Sequence, residues 1–140
     1  MDFSIEQMTE YHLGEAILLW NKTEGLGIGP SDSIENLSKH IQLNPDLNFV
    51  AVSGNNLIGT VLGGFDGRRG YIYHLAIDKN FRNNKIGKAL MDTCFNKMKE
   101  KKIEKCHIMV LKDNITAHSF YKKNGCIQRN DIVLFTKNLL

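Results

Sequence analysis

The chain has 140 residues, the size of one domain, and its 42% hydrophobic and 24% charged composition is that of a globular protein, which excludes disorder, collagen-like repeats and coiled coil. The least polar stretch, Leu57 to Phe65, is about half as long as a membrane-spanning helix, and Met1-Asp2-Phe3-Ser4 carries no basic leader, so a cytoplasmic location is expected. Charge is split unevenly: residues 1–70 hold four bases against nine acids, net −5, whereas residues 71–140 are net +8, as expected if an anion binds in the C-terminal half or if lysines such as Lys97, Lys99 and Lys101 coat a helix face.

Phe3 to Gln7 alternates as a first strand, and Leu13, Ala16, Ile17 and Trp20 recur at helical spacing up to Gly25. After the loop Gly25-Leu-Gly-Ile-Gly-Pro30, Asp32-x-x-Glu35 resembles a capping box and opens a second helix with Ile34, Leu37 and Ile41 inward. Phe49–Val52, Leu57–Phe65 and Tyr71–Ile77 are three strands joined by turn sequences at 54–56 and 66–70. Helical period returns after Phe81–Gly87, with Ile86, Leu90, Cys94 and Met98 on one stripe. Cys106–Leu111 is a strand, and a helix with Ala117, Phe120, Tyr121 and Asn124 on one face stops at Gly125. Cys126–Gln128 and Ile132–Lys137 are predicted to close the chain as a strand pair around Asn130-Asp131. The order predicts a mixed α/β fold in one domain over 1–140, a mostly antiparallel twisted sheet with helices on both faces.

Two places could carry chemistry. From Phe81 to Leu90 a loop enters a helix, where unpaired N–H groups and the positive end of the helix dipole suit a phosphate, and Arg82, Lys85 and Lys88 add positive charge. Gly87 in the first helical turn disfavours the helix and admits close backbone approach. The alternative is an ordinary strand–helix connection with surface lysines. Cys94, Cys106, Cys126 and the five histidines are scattered without ligand spacing, so neither a metal site nor a disulfide framework is expected.

Phe81-Arg82-x-x-x-Ile86-Gly87-x-Ala89-Leu90 resembles the acetyl-CoA-binding motif R/Q-x-x-G-x-G/A of the Gcn5-related N-acetyltransferases. Leu75-Ala76-Ile77 resembles the central strand of that family, and Asn114-x-x-Ala117-x-x-Phe120-Tyr121-x-x-x-Gly125 its second signature. Gly63-Gly64-Phe65-Asp66-Gly67-x-Arg69-Gly70 is most similar to a small bacterial YpeA-like subgroup. One position departs: Lys85 stands where the motif has its middle glycine, a site that is costly for lysine if φ is positive.

The resemblance implies an acetyl-CoA-dependent N-acetyltransferase, an acyltransferase working by direct attack of a primary amine in a ternary complex. Backbone groups of Leu75, Ala76 and Ile77 would pair with the pantetheine arm. Amides of Arg82, Asn83, Asn84, Lys85, Ile86, Gly87 and Lys88 would cradle the pyrophosphate, Asn114 would bond pantetheine, and Tyr121 would protonate the departing thiolate. The proton acceptor for the amine stays open. Histone-type relatives carry a glutamate where Tyr71 stands, and ribosomal-protein N-terminal acetyltransferases carry one where Met109 stands; His74, Tyr73, Glu24 and Asp66 are the remaining candidates. A non-catalytic CoA-sensing domain and a nucleic-acid binder are the competing readings, the latter lacking any aromatic-interleaved basic stripe. Expected partners are a small-molecule or peptide amine, with no nucleic acid and no membrane, and the protein would be a monomer or homodimer.

Overall fold

The computed structural model describes all 140 residues. The elements are β1 (Ser4–Gln7), α1 (Leu13–Asn21), α2 (Ile34–Leu43), β2 (Phe49–Ser53), β3 (Asn56–Phe65), β4 (Gly70–Ile77), α3 (Ile86–Glu100), β5 (Cys106–Ile108) and α4 (Ile115–Lys123). They form one five-stranded sheet in the order β1-β2-β3-β4-β5, antiparallel throughout except for the parallel β4–β5 pair. Its two faces bury different cores. Ile86, Leu90, Met91, Cys94 and Met98 of α3 pack on Phe49, Ile58, Val61 and Ile72. Leu13, Ala16, Leu19 and Trp20 of α1, with Leu37 of α2, pack on Val50, Leu62 and Ala76. Alternate side chains of β2 and β3 thus feed opposite layers, which is why both strands are apolar almost without interruption. No helix is long and apolar enough to cross a membrane.

The hairpin turns form as predicted, and Asp66 Oδ1 accepts the Arg68 and Arg69 amides, each at 2.8 Å, to tie the β3–β4 turn. Gly63 has a packing reason to be glycine: a Cβ there would lie 2.3 Å from the Leu47 carbonyl oxygen. Its amide donates to Asn48 Oδ1 (3.0 Å), and His40 Nε2 donates to the Gly63 carbonyl (3.0 Å) and Asn48 Oδ1 (3.1 Å), locking α2 over the sheet.

Three expectations fail. The box at Asp32-x-x-Glu35 does not form, because Ser33 caps α2 instead, its Oγ accepting the Asn36 amide at 3.2 Å; Asp32 is drawn to a distant partner described below. Ile34 consequently falls on the outer face of α2 and is exposed. Finally, Cys126–Gln128 and Ile132–Lys137 form no strands. After the Cys126 amide bonds the Tyr121 carbonyl at 2.9 Å, residues 127–140 make no backbone–backbone hydrogen bond. A strand needs a neighbour, and within this chain that segment has none. Cys106–Leu111 is likewise shortened to Cys106–Ile108, the length over which β4 accompanies it.

Candidate active site

β4 and β5 pair only over Gly70–Ile72 and Cys106–Ile108, then diverge. From Tyr73 to Ile77, β4 keeps β3 on one side and presents an open edge on the other. Leu75, Ala76 and Ile77 lie on this open stretch. A bulge interrupts the β3–β4 register between Thr60 and Leu62, and on the β4 side His74 takes φ +47°. Such a backbone is costly for a non-glycine residue and must be held from outside. Buried Trp20 Nε1 donates to Thr60 Oγ1 at 2.8 Å, and Thr60 Oγ1 donates to the His74 carbonyl at 2.8 Å. Trp20 also packs on the His74 ring, with centroids 4.7 Å apart. The polar chain therefore reaches from α1 through the sheet to the bulge.

The loop Arg82–Lys85 continues into α3. None of the backbone amides from Arg82 to Lys88 has an acceptor in the protein, and Lys85, the N-cap, supplies no side-chain cap. Asn83 (φ +65°) and Lys85 (φ +62°) are left-handed, and alternating hands curl successive amides into an anion-binding concavity. Asn84 Nδ2 donates to the Phe81 and Arg82 carbonyls (3.0 and 3.2 Å), and Arg82 Nε donates to the Ile77 carbonyl (3.4 Å), tying the loop to the end of β4. Gly87 has ordinary helical backbone; a Cβ there would meet Phe120 at 3.4 Å, so this glycine sets the approach of α3 to α4.

Asn114 caps α4, its Oδ1 accepting the Ala117 amide at 3.1 Å, while Nδ2 donates to the Gly25 carbonyl at 3.4 Å. It thereby ties the start of α4 to the glycine loop before α2. One turn from the end of α4, Tyr121 packs edge-on against Phe120 at 5.3 Å and leans on the core. Its hydroxyl has no protein partner yet is not a buried orphan, so it keeps some contact with solvent. Burial, reinforced by the neighbouring Cys126 and Cys106 thiols, holds its pKa well above the ordinary phenol value of 10.0. The group stays protonated at neutral pH, as a proton donor must.

The other side of the β4 edge carries the groups proposed as proton acceptors. His74 Nε2 donates to Asp32 Oδ1 at 2.8 Å, both side chains being largely buried. Nδ1 makes no hydrogen bond and is not a buried orphan, so it keeps contact with solvent. Tyr71 and Tyr73 stack at 6.1 Å, and Tyr73 meets His40 edge-on at 6.4 Å, forming an aromatic wall. Burial raises the Tyr73 phenol, which unsuits it as a base. Asp66 is exposed and spent on its turn, where the Arg69 and Arg68 amides lower its pKa. Glu24 is exposed and makes no ion pair. Sequence reasoning treated Asp32 as a helix cap and missed its place beside His74; no local signal marks a contact across 42 residues.

The chain matches the family model described as acetyltransferase (GNAT) family over residues 14–126. It belongs to the GNAT acetyltransferases. An acetyltransferase of Sodalis glossinidius is 29% identical over 126 residues, covering 90% of this chain and 88% of its own. Among solved GNAT structures, a PaiA N-acetyltransferase from Thermoplasma acidophilum in complex with coenzyme A is 25% identical with a TM-score of 0.79 and 89% coverage of both chains. An aminoglycoside acetyltransferase from an uncultured soil metagenomic sample is 26% identical with a TM-score of 0.73, covering 99% of this chain and 97% of its own. As a GNAT acetyltransferase the protein is an acyltransferase.

Proposed function

We propose that the protein moves an acetyl group from acetyl-CoA to a primary amine by direct attack in a ternary complex. The observation that carries this reading is the run of free amides from Arg82 to Lys88, which lies at the end of an open β4 edge. A diphosphate needs many donors and no acceptors, and this loop offers seven backbone N–H groups with Arg82, Lys85 and Lys88 around them. Leu75, Ala76 and Ile77 can pair with an extended amide-bearing arm as with an added strand. Asn114 keeps one amide hydrogen beyond its bond to Gly25 for the same arm.

The amine nitrogen attacks the thioester carbon, the C–S bond breaks, and two protons must move. Tyr121, protonated and with its hydroxyl free of protein partners, gives one to the leaving sulfur. His74 takes the other: its Nε2 is committed to Asp32, which fixes the tautomer and leaves Nδ1 as the acceptor. Tyr71 and Tyr73 line the acceptor side, and the acidic half of the chain favours a cationic amine there. The similarity to a solved aminoglycoside acetyltransferase supports small-molecule amines as the acceptor class.

Release of free thiol from acetyl-CoA, measured across aminoglycosides, polyamines, amino acids and peptides, tests the reading. Turnover with at least one amine, with the acetyl group recovered on nitrogen by mass spectrometry, is expected. Coenzyme A binding without turnover on any amine overturns it.

A further inference from the structure

Tying the β3–β4 turn, which leaves Asp66 unsuited as a base, occupies only one of its carboxylate oxygens. Oδ1 accepts the Arg68 and Arg69 amides, while Oδ2 accepts a single bond, from the Tyr71 hydroxyl at 3.4 Å. The two amides hold the carboxyl below the usual carboxylate range, so it is anionic at neutral pH. Neither Arg68 nor Arg69 forms an ion pair with it, and the group is exposed. Asp66 is therefore a fixed negative charge whose Oδ2 has accepting capacity in reserve.

Tyr71 leads from this charge to a second ring. Ile72 between the two tyrosines points into the core under α3, so Tyr71 and Tyr73 stand on the opposite face of β4. Their rings lie 6.1 Å apart and within 18° of parallel. Tyr73 is held from two sides: it meets His40 of α2 edge-on at 6.4 Å, and it lies beside Gly64 of β3, where a Cβ would stand 3.8 Å from the ring. Yet Tyr73 remains 36% exposed, so the pair offers aromatic surface to an arriving molecule. The faces of such rings carry negative charge density and attract cations.

We propose that Tyr71, Tyr73 and Asp66 form a subsite for a second cationic nitrogen of the acceptor, so that the protein selects diamines over monoamines. The inference rests on the acetyl-transfer reading for the place of the reacting nitrogen, at His74. Tyr71 lies three residues before His74, roughly 10 Å along the strand at about 3.3 Å per residue. A lone ammonium at His74 is out of reach of Asp66, whereas two amines joined by a short alkyl chain or one sugar ring span both places. The two nitrogens then meet opposite chemistry. The first gives a proton to the imidazole, and the second keeps its proton, because a carboxylate and aromatic faces favour the charged form.

Calorimetric titration of amines into the full-length protein in excess coenzyme A tests this without turnover. The probes are α,ω-diamines of rising chain length, a diamino sugar, and monoamines matched to each in size. At least one diamine is expected to bind roughly tenfold more tightly than its monoamine, the combined scale of one cation–π contact and one exposed charge contact, and added salt should narrow the gap. Asp66→Asn keeps an oxygen for the turn amides and removes the charge, and Tyr73→Leu removes a ring; each should cut that ratio to about threefold or less. Should Tyr73→Leu misfold, Asp66→Asn carries the test alone. An optimum among the alkyl diamines assigns the subsite to linear acceptors, and a preference confined to the diamino sugar assigns it to amino sugars; both support the proposal. Equal affinity for every diamine and its monoamine, no binding of any amine, or a preference that survives Asp66→Asn overturns it. Binding is read apart from thiol release, so a protein that prefers diamines yet acetylates none would overturn the transfer reading and leave this subsite standing.

Discussion

Asp32 and His74 lie 42 residues apart and meet at 2.8 Å, joining the turn before α2 to the bulge of β4. The pair depends on the positive φ of His74, which turns the side chain out of strand register toward Trp20 and Asp32. We expect His74→Gln to lower kcat by roughly 10²-fold, the low end for loss of a general base. Asp32→Asn should lower it less, since the imidazole remains but loses its fixed tautomer. Single-turnover rates for the best amine check this, and a wild-type rate in His74→Gln would return the residue to a purely structural role.

Lys85 sits at φ +62° and ψ +20° at the start of α3. A left-handed backbone costs a side chain about 1 kcal/mol that glycine avoids. Lys85→Gly should therefore raise stability toward that amount and leave coenzyme A binding intact, because the amides, not the lysine side chain, form the concavity. Denaturant midpoints and calorimetric titration with coenzyme A measure the two effects. A loss of affinity above tenfold would show that the lysine charge is the main contact.

Tyr121→Phe keeps the packing against Phe120 and removes only a hydroxyl that has no protein partner. Stability and acetyl-CoA affinity should change little, and the chemical step should slow by roughly 10²-fold. An unaltered rate under chemistry-limited conditions would mean that the thiolate leaves unassisted.

Stability should pass through a maximum near neutral pH, with different residues responsible for each side. Burial lowers the pKa of His40 below 6.5, so on acidification the unfolded chain binds a proton first and stability declines below about pH 6.5. Burial also pushes Cys94 and Cys106 from 9.0 to about 12. Unfolded thiols then ionise while the folded ones hold their protons, so stability declines as pH rises from 9 toward 12. Melting temperatures across this range should show both arms, and Cys94→Ala should flatten only the alkaline one. No alkaline decline would mean that the folded thiols titrate like exposed ones.

Periodicity and turn chemistry in the sequence suffice for β1 to β4 and all four helices, because each of these reads out a local rule. Gly125, with φ +89°, ends α4 as its position after Asn124 predicts, and the stripe Ile86, Leu90, Cys94 and Met98 is buried as its spacing requires. The loop from Arg82 to Lys88 was also legible, since free amides follow from any loop entering a helix without a cap. What tertiary structure decided involves partners far along the chain. Asp32 and Ser33 are both good caps; Ser33 takes the helix, while Asp32 is held by the Gly29 amide at 3.0 Å and by the imidazole of His74, which the Thr60 bulge brings to it. The tail from Ile132 to Lys137 has the residues of a strand, but a strand exists only against a neighbour, and a local pattern cannot supply one.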